Sequence, residues 1–243
     1  MSLAGDRRLR ILNLLVRDGG IEPETRRICN VSAKVTGMTG AGIMLMSDDV
    51  PQRSICTTDS VASLIEQLQL TLGEGPCVDA HNLQRPVLEP DLAQPARARW
   101  FGFAPPAVEA GARAVFGFPI RIGAARLGAL NLYRDEPGPM GDEQHAEALV
   151  MSDVAAEAVM LFQSNAPPEM LAAELEAGDG LHYLVHQATG MIAAQLEVSV
   201  GHAMIRLRAY AFANDRPLRE VAQDVLARKL RFHPESGEND PGS

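Results

Sequence analysis

Two apolar runs, Ala114 to Ile122 and Arg126 to Tyr133, are separated only by Gly123-Ala124-Ala125, and this constrains the fold more than any other feature. A parallel pairing needs a crossover of roughly a dozen residues, so a glycine-containing connection this short permits only an antiparallel hairpin. Arg121, Arg126 and Asn131 interrupt the apolar pattern, so one face is expected to meet solvent or a neighbouring helix. A hairpin needs further strands or a helix to bury its apolar face, and the residues before it supply both. Ala41 to Met46 reads as a buried strand, Arg53 to Thr57 as its partner, and Pro86 to Glu89 as a further short strand. Helical spacing covers Ile21 to Thr36, with Pro23 in an early position and Gly37 as the stop. It returns from Val61 to Leu70, and a helix is expected to start near Pro76. The fold class is α+β.

After the hairpin, Asp135-Glu136-Pro137-Gly138-Pro139 reads as a turn, and Asp142 is the expected cap of a helix to about Gln163. Its seam of Met151, Val154, Ala158 and Leu161 is under two heptads, which fits packing on the sheet and, as the sharper alternative, a dimer seam. Asn165-Ala166-Pro167-Pro168 breaks the helix and marks a domain boundary. Residues 169–176 regain helical spacing. Three short amphipathic helices then span Leu181 to Phe232. Ser199 is the cap expected for the second, and Asp215 or Arg216 for the third, with Pro217 in its first turn. The expected division is an N-terminal extension at 1–20, a sensor domain at 21–163, a linker at 164–180, a helical domain at 181–233 and a disordered polar tail at 234–243.

Charge is distributed unevenly. Residues 182–233 hold seven cations against four anions, a net +3, which leaves −12 in the remainder of a chain whose net charge is −9. An acidic body with a basic end is the pattern expected when one domain alone meets a polyanion; exposed arginines that merely solvate helix faces are the plainer alternative. No apolar run is long enough to span a membrane. Asn13 interrupts the apolar stretch near the N-terminus, and no signal peptide is expected. Cys29, Cys56 and Cys77 are odd in number and lack metal-ligand spacing, so the expectation is a reduced, cytoplasmic protein without a disulfide.

The string His186-Gln187-Ala188-Thr189-Gly190-Met191-Ile192 resembles the start of an ANTAR domain. Ala203 and Leu207-Arg208 resemble its second helix, and Leu218, Val221-Ala222 and Val225 its third. The resemblance implies binding to paired RNA hairpins in a nascent transcript, with transcription antitermination as the outcome. Gln187, Ala188, Thr189 and Gly190 would then meet RNA, with Arg208 as the leading cation and Arg206, Arg216 and Arg219 placed by position. Gly190 has two readings, close approach of RNA and tight helix packing. The chain departs from the family at Thr189 and Pro217, where lysines are usual, which removes two phosphate contacts.

The order of elements before residue 163 is similar to a GAF domain, and Leu72-Gly73-Glu74-Gly75-Pro76-Cys77-Val78-Asp79-Ala80 resembles the motif of GAF domains fused to ANTAR domains. The resemblance implies a central antiparallel sheet with helices on one side, a small-molecule pocket on the other, and a three-helix ANTAR bundle after it. The glycines at 73 and 75 lack the Lys-Ser/Thr of a phosphate loop and are read as a turn into a helix. Cys77, Trp100 and Phe116 are candidates for lining the pocket, with apolar core as the plainer reading for each; the ligand and any cofactor are unknown. The resulting reading is a signal-responsive, homodimeric RNA-binding regulator and not an enzyme. Two alternatives stay open: action on a protein partner, and a thiol-dependent reductase, which would need Cys56 close to Cys77.

Overall fold

Where the spacing of apolar residues changes between three to four and two, the computed structural model changes between helix and strand. It describes residues 3–17, 24–47, 50–94, 99–165, 181–214 and 216–233. Helices α1 (Leu3–Arg17) and α2 (Glu24–Thr36) precede strands β1 (Gly40–Ser47) and β2 (Val50–Thr57). Then come α3 (Ser60–Leu72), α4 (Pro76–Leu83), β3 (Val87–Glu89) and α5 (Ala104–Glu109). Strands β4 (Ala114–Ile122) and β5 (Ala125–Arg134) lead into α6 (Asp142–Asn165), and α7 (Leu181–Leu196), α8 (Val200–Ala213) and α9 (Leu218–Leu226) follow. Two compact units divide after Ala166.

In the first unit the strands form an antiparallel sheet of order β2-β1-β5-β4-β3. The expected hairpin is its centre, with a tighter turn than the spacing suggested: Ile122 pairs with Ala125, and Gly123 supplies the positive φ of +57°. Alternation along the strands divides the core. Phe116, Phe118, Ile120, Leu130 and Leu132 face α1, α2 and α6, where they meet Ile11, Ile28, Val31 and Met151. Val115, Ala129 and Tyr133 face the other way, towards α3, α4 and α5. Both faces of the sheet therefore carry helices.

Several expectations change. Cys29 of α2 and Cys56 of β2 form a disulfide across a Cα separation of 6.1 Å, which overturns the expectation of three reduced cysteines. The helix and the edge strand bring together residues 27 apart in sequence, a proximity that spacing alone does not reveal. The extension expected at 1–20 contains α1, whose Arg7 and Arg10 both donate to the buried Glu147 of α6, while Arg8 bonds Glu157 at 2.6 Å. Gly141 takes the cap position expected for Asp142: its carbonyl accepts from His145 N–H, and its N–H donates to Gln144 Oε1 at 3.1 Å. Helix α6 runs through 164 and 165, the first residues of the expected linker. The rest of that linker, the helical reading of 169–176, the start of α2 at 21–23, Asp215 and the tail lie outside the described residues.

The second unit is a three-helix bundle with a core of small residues. Val185, Ala188, Thr189 and Ile192 of α7 pack with Ala203, Met204, Leu207 and Ala211 of α8, and with Leu218, Val221, Ala222 and Val225 of α9. Ser199 caps α8 as expected, its hydroxyl accepting from His202 N–H at 3.3 Å. Pro217 occupies the N-cap position of α9.

Candidate functional site

In the bundle the expected RNA-facing residues separate into two groups. Ala188 and Thr189 are fully buried, and the Thr189 hydroxyl donates back to the Val185 carbonyl at 2.6 Å. Gln187 and Gly190 face solvent on the same helix. A Cβ built on Gly190 would meet nothing within 4 Å, which removes the tight-packing reading of this glycine.

The cations separate in the same way. Arg206 and Arg219 are exposed. Arg216 bonds Asp224 at 2.7 Å, with Glu220 4.0 Å away, so its guanidinium staples the first two turns of α9. Arg208 lies half-buried beside the core, and desolvation pulls its guanidinium down to about 10. The cation placed first from sequence is thus the least solvated of the four. Sequence reasoning counted Arg228, Lys229 and Arg231 only as charge. They stand exposed on an ordered return after α9, where Lys229 and Leu230 donate to the Asp224 carbonyl and Phe232 N–H donates to Gln195 Oε1 at 2.9 Å. The Phe232 ring meets Tyr210 edge-on at 5.5 Å, which ties this basic return to α8. Three cations within four residues is the signal that would have found it.

In the first unit, the three pocket candidates fall on different sides of the sheet. Phe116 is fully buried against α2 and α6, on the face away from Cys77 and Trp100. Cys77 is buried with Met44, Met46 and Ala129. Burial, with Glu66 adding to it, pushes its thiol well above the ordinary range, a setting for an inert thiol. Cys56 is bonded to Cys29 and packs on the opposite face, so the Cys56–Cys77 pair that reductase chemistry needs is not formed.

Gly42, Asn131 and Gly117 lie in register across β1, β5 and β4, and form a trough of two bare positions around one amide. Glu66 of α3 occupies the space over Gly42, and the Pro76 backbone of α4 that over Gly117, at distances no Cβ would allow. Gln69 accepts from Cys77 N–H at 2.8 Å. Glu66 is completely buried without a hydrogen bond; Asn131 faces it outside bonding geometry. Desolvation pushes the Glu66 carboxyl up to about 8, with Asn131 pulling weakly the other way. Sequence reasoning missed this cluster, although Gly42 and Gly117 inside strands were visible signs of close approach.

Trp100 borders the same side. It adopts a φ of +57°, donates from Nε1 to Asp79 at 3.0 Å, and carries the Arg99 guanidinium 3.8 Å above its ring. Arg99 also reaches the buried Glu89 at 3.3 Å, and Glu74 accepts from the N–H groups of Gly102 and Phe103. Among the described residues, no helix is long and apolar enough to cross a membrane.

A GAF domain family model matches residues 25–160, and an ANTAR domain model matches residues 181–226. Among solved structures, the GAF domain of a phosphoenolpyruvate-protein phosphotransferase from Acinetobacter is 10% identical, with a TM-score of 0.50 over 68% of this chain and 97% of that one. The corresponding domain from Coxiella burnetii is 16% identical, with a TM-score of 0.49 over 67% and 98%. A type II free methionine-R-sulfoxide reductase from Thermoplasma acidophilum is 14% identical, with a TM-score of 0.44 over 66% and 97%. At 10% identity the likeness to the Acinetobacter domain is one of fold alone. A search of curated proteins finds no match. GAF domains are sensing modules and ANTAR domains are RNA-binding antiterminator modules. With the first over 25–160 and the second over 181–226, this chain belongs to the GAF domain family and has the architecture of a GAF–ANTAR regulator.

Proposed function

We propose that the chain is a signal-responsive transcription antiterminator that binds paired RNA hairpins through residues 181–233. The observation that carries this reading is the ANTAR match on a three-helix bundle that keeps its small residues inside and leaves Arg206, Arg219, Arg228, Lys229 and Arg231 on its surface. Those cations supply phosphate contacts of the kind that dominate affinity for RNA, while loop bases carry the specificity. Of the residues expected from sequence, Gln187, Gly190, Arg206 and Arg219 keep a contact role. Ala188, Thr189, Arg208 and Arg216 act by shaping the bundle. The chain acts as a homodimer, so that two bundles engage the two hairpins and the second contact benefits from effective concentration. The GAF domain receives a small-molecule signal and passes it on through α6. Its role is regulatory and not enzymatic, and its place of action is the cytoplasm, where nascent transcripts are made.

The test is a mobility-shift titration at several salt concentrations, with the full chain against a paired-hairpin RNA and a duplex DNA of matched length. Tight, loop-dependent RNA binding with a steep salt dependence is expected. Equal affinity for both, or binding to neither, overturns the reading and favours a protein partner for the bundle.

A further inference from the structure

The solvent face of α8 carries apolar side chains that a helix of a small bundle has no reason to expose. Ile205 is 58% exposed and Phe212 74%, and Ala209 between them is also exposed. At about 100° per residue, these three positions fall on one stripe, opposite Ala203, Met204, Leu207 and Ala211 of the core. His202 and Arg206 border the stripe on one side and Arg208 on the other. Tyr210, one turn beyond Arg206, holds Phe232 and with it the return bearing Arg228, Lys229 and Arg231. The stripe is therefore an apolar floor with an aromatic ring at one end, the exposed Arg206 along one edge and the half-buried Arg208 along the other. It lies within the segment of net +3 in a chain of net −9.

We propose that this stripe is where unpaired RNA loop bases are read: one base stacks on Phe212, a neighbour rests on Ile205 and Ala209, and the flanking phosphate runs along Arg206. This inference rests on the RNA-binding reading above and names the residues that carry its specificity. Two observations support RNA as the occupant. The first is charge: Arg206 borders the floor within a segment of net +3, and a polyanion with flat apolar faces complements both the cation and the floor. The second is the burial of Ala188 and Thr189 within the α7 motif, against which the exposed Ile205, Ala209 and Phe212 of α8 offer the larger apolar surface.

The experiment uses the full chain, with fluorescence anisotropy against a paired-hairpin RNA carrying unpaired loops, and against the same stems closed as a continuous duplex. Phe212→Ala is expected to weaken binding to the looped RNA by roughly tenfold or more, while duplex binding and the salt slope hold. Phe212→Trp restores the loop preference, and Arg206→Ala lowers the salt slope by about one without changing that preference. Phe212 is largely exposed, so circular dichroism of the variant is expected to match the parent. If the parent binds looped RNA and Phe212→Ala binds it equally well, the stacking site is wrong. If Phe212→Ala changes sedimentation and leaves RNA affinity alone, the stripe is a contact between copies and the proposal is overturned. A parent that binds no RNA overturns the antiterminator reading itself, which is a different result.

Discussion

Gly190 shows what a single residue can reveal. A glycine inside a helix costs about 0.8–1 kcal/mol relative to alanine, and α7 gains no packing in return, because a Cβ there would meet open space. Gly190→Ala is therefore expected to raise stability by roughly that amount, read as a higher urea midpoint at unchanged slope. The same variant is expected to weaken hairpin RNA binding, since the added methyl stands where a backbone would approach. If affinity is unchanged, no close approach occurs at this point. From sequence the glycine was visible but its two readings were equal; the surrounding space separates them. Thr189 went the other way. As a polar residue in a family motif it suggested a contact, yet its hydroxyl is satisfied by the Val185 carbonyl one turn back. A threonine in a helix can do this anywhere, so its sequence gave no sign of burial.

At the scale of elements, the hairpin β4–β5, strands β1 and β2 and the three helices of the bundle were legible, because each has a clean period of its own. Helix α1 was not. Arg7, Arg8 and Arg10 break its apolar pattern, and they make sense only once Glu143, Glu147 and Glu157 of α6 are seen to receive them. The link from α2 to β2 was hidden for the same reason: the Cys29–Cys56 pairing is tertiary. Its closed loop spans a separation of 27 residues, which in the chain-entropy account constrains the unfolded state by about 3–4 kcal/mol. Cys56→Ser, or reduction of the parent, is expected to lower the stability of the first unit by roughly that much, and to leave the bundle's transition in place. An unchanged melting profile under reductant would show that the bond is not formed in solution.

The packing of α3 on the sheet carries its own test. Glu66 has a carboxyl raised from 4.5 to about 8 by burial. The protonated group favours the folded state fully below pH 4.5, and that advantage is lost as pH rises towards 8, because only the unfolded chain releases the proton in this window. Stability is expected to fall by up to about 1.4 kcal/mol per pH unit across it from this group. Glu66→Gln removes the titration, so the difference between variant and parent should grow from pH 5 to pH 8 in urea titrations. A constant difference would mean that water reaches the carboxyl.

For the whole molecule, the question is whether an acidic sensing unit and a basic binding unit behave as one body or two. The bundle has a core of about a dozen mostly small side chains, and small domains bury proportionally less of their surface. Its transition is therefore expected at lower urea than that of the first unit. Hairpin RNA present at a hundred times its dissociation constant stabilises whatever it binds by about 2.7 kcal/mol. If the units are energetically independent, that shift appears in the bundle's transition alone, and tryptophan fluorescence, which reports Trp100 in the first unit, stays where it was. If the Trp100 transition moves with RNA as well, binding at one end stabilises the other. Linkage then requires that a ligand of the first unit alters RNA affinity by the same free energy. The second outcome would supply the coupling that a signal-responsive regulator needs, before any signal has been identified. The first would leave the proposed dimer, and not the single chain, as the place where the two units must communicate.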